Sequence, residues 1–296
     1  MAILLGLLVS VTYGSGDFFG GLASKRARTM TVVIGSFGIS ALLLVVVTAG
    51  WWLVTPPPTP SATDLWLGVG TGLVGPLALG LLYRGLAIGR MSVVAPTTAL
   101  VAAAVPLGWG LATGERPSTL ALAGVAVALV AVVAISGAPA HEDHPPGELA
   151  PLRAVVPMAL CSGLGFGVVY VLLGSTGDDA GLWPLLVARP LSVAVTVAAA
   201  VVLWTTARAG SLREVTVAPR VAWPAILAAG VLDIGANAIY LAATRAGLLS
   251  IVAVLSSLYP ATTVVLARVV LGERLHRIQL AGLALAGAGI AAMAAG

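Results

Sequence analysis

Four ionisable side chains fall inside long apolar runs of the sequence: Asp17, Arg189, Asp233 and, nearer the end of a run, Arg84. A charge at the centre of a bilayer costs on the order of 2.5–3.5 kcal/mol even on the mildest insertion scale, so such residues are the first candidates for a functional role. Asp233 heads a series, with Asn237, Tyr240 and Thr244, spaced i, i+4, i+7 and i+11, which places four polar side chains on one face of a helix. Such a stripe can orient a ligand or carry a proton; its plainer use is hydrogen bonding between helices. Arg189, beside Pro190, is either the counter-charge of Asp233 or Asp17 or, through its planar paired donors, the anchor of an anionic group. Asp17 follows Gly14-Ser15-Gly16, where missing side chains admit a solute or a neighbouring helix, and the position also suits an interfacial anchor.

Two proline-marked segments add hydroxyls. Ser256, Ser257 and Tyr259 precede Pro260, and Thr97 and Thr98 follow Pro96. Proline leaves a carbonyl without its helical donor, and such a group can face a cavity. The hydroxyls are then ligand contacts, or they bond back to their own helix. The expected ligand-binding set is therefore Asp233, Asn237, Tyr240, Arg189, Ser256, Ser257, Tyr259, Thr97 and Thr98, with Asp233 and Asp17 as the groups for proton coupling.

The elements that must position these residues follow from composition. Hydrophobic residues make up 59% of the 296 and charged residues 9%, against roughly 25% in soluble domains, and mean hydropathy is +1.07. A membrane-embedded chain is implied. The formal charge of +4 comes from 15 Lys and Arg that sit at segment ends, which reads as topology and not as a nucleic-acid surface. Cutting at polar or Pro-rich interruptions gives ten apolar segments, near 2–23, 31–53, 65–87, 92–112, 118–137, 154–174, 182–206, 221–244, 249–270 and 278–295. Continuous apolar runs without alternation select helices over barrel strands. The first run lacks a basic leader and a clear cleavage site, so it is read as a span. The lone Cys161 supports neither a disulfide framework nor a Cys-based metal site. His141-Glu142-Asp143-His144 lies in a Pro-rich connector and is read as solvated, with no metal assigned.

The chain also repeats itself. Gly114-Glu115-Arg116 and Gly272-Glu273-Arg274 lie 158 positions apart, and the same offset pairs Ser92 with Ser250, Ala95 with Ala253 and Leu100 with Leu258. Trp66 and Tyr83 match Trp223 and Tyr240 one position short of that offset. The expected organisation is a first five-helix repeat at 1–137, a linker at 138–153 and a second repeat at 154–296. An odd number of spans per copy inverts the second copy in the membrane, which favours a site between the halves near the midplane. The fold expected is thus an all-α polytopic membrane protein, ten transmembrane helices in two inverted five-helix repeats.

Val252-Ala253-Val254-Leu255-Ser256-Ser257-Leu258-Tyr259-Pro260 followed by Leu271-Gly272-Glu273-Arg274, with its partner Val93-Val94-Ala95-Pro96 and Gly114-Glu115-Arg116, resembles the EamA-type family of the drug/metabolite transporter superfamily. The resemblance implies a central cavity lined by the first four helices of each half, with the fifth and tenth helices at the periphery. It also implies a multi-pass protein of the cytoplasmic membrane that exports an amino acid, another metabolite or a drug by alternating access. The small multidrug resistance branch of that superfamily uses a carboxylate in its first helix for proton exchange, an analogy for Asp17. No nucleotide-binding motif stands in the sequence and no cofactor is expected. The rival reading is an integral-membrane enzyme or accessory protein acting on lipid-linked substrates, which usually needs several carboxylates or histidines clustered at an interface.

Three further expectations are structural. Val101-Ala102 stand opposite Tyr259-Pro260, so a helix break at Pro260 need not recur in the first half. Glu115 and Glu273 are read as caps on the helices that follow them. Gly124 and Ala128, matched by Gly282 and Ala286, suit close packing of the fifth and tenth spans, with monomer and homodimer both open. Basic residues crowd the odd-numbered loops, which by charge alone puts both termini outside, whereas the resemblance implies both inside.

Overall fold

A computed structural model describes residues 1–89, 91–136, 150–206, 218–271 and 276–296, and every regular element among these residues is helical. The helices are α1 (Ala2–Ser24), α2 (Thr29–Trp52), α3 (Ala62–Ile88), α4 (Met91–Ala112), α5 (Thr119–Ser136), α6 (Leu152–Gly174), α7 (Trp183–Thr206), α8 (Trp223–Arg245), α9 (Leu249–Ser256), α10 (Tyr259–Leu271) and α11 (Arg277–Ala295). With α9 and α10 taken as one crossing, nine candidate spans among the described residues are long and apolar enough to cross a membrane, and the shorter apolar α5 makes a tenth. The polytopic all-α fold expected from the sequence is what the chain adopts. His141, His144, Glu273 and Arg274 lie outside the described residues.

The ninth segment departs from a single helix. Its first part ends at Ser256 and its second begins at Tyr259. Pro260 has no N–H for the carbonyl of Ser256, and just before the break Ser256 Oγ and Ser257 Oγ donate back to Val252 O (2.8 Å) and Val254 O (2.7 Å). By contrast α4 runs unbroken through Pro96 and Pro106.

Lipid-facing positions stay apolar. Leu42, Trp66 and Val269 are 68%, 72% and 74% exposed, as suits a surface whose solvent is hydrocarbon. Inside, the first span packs on the eighth and on both parts of the ninth, while the sixth packs on the third and fourth. The second and seventh cross each other, and each also touches the third or eighth. Two of these crossings match in detail. Ser40 Oγ of α2 donates to Gly230 O of α8 (2.7 Å), and Ser192 Oγ of α7 donates to Gly72 O of α3 (3.2 Å). A Cβ on Gly230 would sit 2.6 Å from Ser36 O, and one on Gly72 would sit 2.8 Å from Ala188 O, so glycine is what allows both approaches.

The small residues of the fifth and last spans meet each other within the chain. A Cβ on Gly124 would stand 2.7 Å from Gly289 O, and one on Gly282 would stand 2.7 Å from Ile135 N. The α5–α11 pair thus uses this surface internally.

The matched crossings give a test. Gly230→Leu or Gly72→Leu is expected to cost roughly 1–3 kcal/mol or more through overpacking. Gly38→Ala, at a position where nothing lies within 4 Å, should leave the melting temperature in detergent unchanged or raise it. Equal melting temperatures for all three variants would remove the close-approach argument.

Candidate functional site

Asp233 is the fixed point of the bundle interior. Its Oδ2 receives Arg189 Nη2 of α7 at 2.8 Å and lies 3.1 Å from Ser40 Oγ of α2, whose one proton it shares with Gly230 O. Asn237, one turn along α8, donates to Asp233 O at 2.7 Å and Oδ1 at 3.3 Å. Arg189 is buried, and its guanidinium carbon lies 5.1 Å from the centre of the Phe37 ring. Three helices therefore converge on one carboxylate, and a cation over a ring face adds an attraction that strengthens when water is excluded. Of the two roles open to Arg189 in the sequence, the geometry places it as the counter-charge of Asp233.

Beside this cluster lies a cavity of about 30 Å³, lined by Tyr13, Gly16 and Asp17 of α1, Leu79 and Tyr83 of α3, and Ala102 of α4. Phe166 and Tyr170 of α6, Ala229 and Asp233 of α8 and Tyr259 of α10 complete it. Space of this size holds about two waters, since one needs roughly 10–15 Å³ of this kind of volume. A solute larger than that requires the helices to part. Among the described residues Asp17 takes no hydrogen bond or ion pair, and the Tyr259 hydroxyl is buried without a partner.

Of the other sequence-derived candidates, Asn237, Tyr240, Thr97, Thr98, Ser256 and Ser257 are not among the residues that line this cavity. Tyr240 is fully buried, its hydroxyl donating to Tyr170 O (3.2 Å) and its ring stacked on Tyr170 at 4.8 Å. Thr98 donates to Ala159 O across the α4–α6 contact at 3.2 Å, and Thr97 is half-buried away from the cavity. Ser256 and Ser257 spend their hydroxyls on α9 itself. Of the stripe Asp233, Asn237, Tyr240 and Thr244, only Asp233 reaches the cavity.

Sequence reasoning missed Tyr13 and Tyr170 and took Tyr83 only as a marker of the repeat. A signal was present. The chain has five Tyr and seven Trp. The Trp residues sit at helix ends, where aromatic belts form, and the Tyr residues sit within helices or at the break in the ninth span. Four of the five tyrosines line the cavity, and the fifth, Tyr240, stacks behind Tyr170.

One end of the bundle is tied across the halves. Glu115 caps a helix, but α9 and not the following α5: its Oε1 and Oε2 accept from Leu249 N (2.7 Å) and Ser250 N (3.0 Å). Gly114, at φ 105, turns the chain back so that Glu115 N donates to Gly110 O at 2.8 Å. The start of α5 is served instead by Ser118 Oγ, which accepts from Ala121 N at 3.0 Å. At the same end Asp64, in the capping box of α3, accepts from Gly177 N at 2.8 Å, and Trp183 Nε1 donates to Pro58 O at 2.8 Å. Gly247 abuts Ala2 there, and Gly296 abuts Ser118.

Nine apolar spans and the shorter α5 among the described residues, with a small carboxylate-bearing cavity between several of them, define a polytopic membrane protein. Its residues 153–295 match the EamA-like transporter family, a family of the drug/metabolite transporter superfamily. A crystal structure described only as that of a protein is similar over 98% of this chain and 95% of its own, with a TM-score of 0.68 and 18% identity, which shows a shared fold. No curated protein matches the sequence.

Removing one partner of a buried ion pair costs about 3–5 kcal/mol because the other charge is left uncompensated. Arg189→Ala and Asp233→Ala should each lower detergent stability strongly, and the double variant should lose clearly less than the sum. Additive losses in a thermal-unfolding cycle would show that the two side chains do not act as a pair.

Proposed function

We propose that the chain is a secondary transporter that exports a small metabolite, amino acid or drug across the cytoplasmic membrane by alternating access, coupled to protons at the cavity carboxylates. The observation that carries this reading is the cavity between the halves with Asp17 facing it unpaired. Asp233 already has its cation in Arg189, which makes Asp17 the group free to exchange a proton while Asp233 holds the wall in place. Substrate contact falls to Asp17, Asp233, Tyr259, Tyr13, Tyr83 and Tyr170. Arg189, Asn237 and Tyr240 position these groups. No catalytic residue is assigned, because a pair of aspartates of which one is neutralised lacks the clustered acid, base and nucleophile of an enzyme site.

The same reading makes 1–137 and 154–296 inverted copies joined by the linker at 138–153. It is supported by the matched Ser40–Gly230 and Ser192–Gly72 crossings and by helix pairings that exchange when each span is replaced by the one five further on. In this conformation the end that carries both termini is held shut by Glu115, Asp64 and Trp183, so access opens from the other end.

The test is flux in proteoliposomes. The wild-type protein is expected to move at least one member of a panel of amino acids, amines and lipophilic drugs against a gradient when a pH difference is imposed. Asp17→Asn should abolish the response to the pH difference, with downhill exchange retained at a weaker apparent affinity. If no panel member moves, the transport reading falls; if Asp17→Asn keeps its full pH response, proton coupling is not at Asp17.

A further inference from the structure

We propose that the cavity takes a small organic cation, an amine or quaternary ammonium group on an apolar body; the proposal rests on the transporter reading for its physiological role but not for its binding site. The charge balance comes first. Two carboxylates, Asp17 and Asp233, face the cavity, and the one guanidinium beside it is committed to Asp233 at 2.8 Å, over the Phe37 ring. No Lys, Arg or His is among the lining residues, so with both aspartates ionised the site is one negative charge from neutral.

The walls supply the second part of the argument. Tyr13, Tyr83, Tyr170, Tyr259 and Phe166 bring five rings to one small space. Ring faces carry negative electrostatic potential and attract cations, most strongly where water is excluded, and quaternary ammonium groups in particular are held by such cages. A primary or tertiary amine would have in addition the Tyr259 hydroxyl, which is buried and unpartnered, as a hydrogen-bond acceptor. A carboxylate-bearing solute would meet Asp17 and the negative ring faces with no lining cation to receive it. An uncharged solute would leave Asp17 uncompensated in apolar surroundings. Because the cavity in this conformation holds about two waters, the rings must separate to admit the body of the cation.

The test uses the full chain in lipid nanodiscs and three probes of similar size: benzyltrimethylammonium, benzyl alcohol and phenylacetate. Saturable binding of labelled benzyltrimethylammonium is expected, with the other two weaker by on the order of tenfold or more as competitors. Asp17→Asn should weaken the cation by a similar factor and leave competition by benzyl alcohol unchanged. Tyr83→Leu should weaken the cation further than Tyr83→Phe, which keeps the ring. Since the comparison among probes is made on the unmodified protein, it stands even if a variant fails to fold. Equal or tighter binding of phenylacetate or benzyl alcohol, or no saturable binding of the cation, overturns the assignment. If phenylacetate or benzyl alcohol crosses proteoliposomes and the cation does not, the cation assignment falls and the transporter reading survives. If the cation binds as described and no solute crosses, the site assignment survives and the transporter reading falls.

Discussion

The ion pair between Arg189 and Asp233 is the constraint around which the interior is arranged. Neither charge is tolerable alone in a bundle of this hydrophobicity, and their attraction offsets desolvation only if the remaining lone pairs and protons also find partners. Ser40 of α2 and Asn237 of α8 serve the Asp233 oxygens, and the Phe37 ring of α2 lies against the Arg189 guanidinium of α7, whose Nε alone is left without a partner among the described residues. Fixing those three helices in turn fixes the wall against which α1, α3, α6 and α10 close the cavity. A polar cluster of this kind specifies one arrangement among the many that apolar helices could adopt, because any other leaves a charge stranded.

Much of the fold was legible in the sequence because its determinants are local. Spans announce themselves by length and hydropathy, their ends by Trp, Pro and basic residues, and the family by motifs that recur within short windows. The break in the ninth span was readable in part, since Pro260 carries it, while its completion by the Ser256 and Ser257 hydroxyls depends on rotamers that spacing does not encode. The partner of Arg189 was one of two carboxylates on different helices, and only the packing of α7 on α2 and α8 decides between them. Glu115 shows the limit best. Its motif identified it as a cap, yet the helix it caps begins 134 residues later, and nothing near Glu115 in the sequence points there.

The site itself was half visible. Asp233 and Asp17 stood out because charges in apolar runs are rare, whereas Tyr13 and Tyr170 are amphipathic side chains that a membrane protein can place at any depth. Their meaning comes from comparison with tryptophan: in this chain one aromatic type marks the lipid boundary and the other marks the interior. The hydroxyls of Ser256, Ser257 and Thr98 illustrate the opposite error, since polar groups near proline look available until the backbone carbonyls that claim them are located.

Phe37 and Arg189 stand at the same distance from Ser40 and Ser192, the two serines of the matched crossings, and they touch each other at the contact of α2 with α7. On the proposed duplication they are one ancestral position seen twice. A symmetric pair of separate five-helix subunits could place there only two arginines, which would repel, or two phenylalanines, which would leave Asp233 without its cation. Joining the copies in one polypeptide releases that position from having to be its own partner, so each copy can specialise while the shared scaffold is kept. On that reading, fusion is what lets a lopsided centre stand inside a balanced frame.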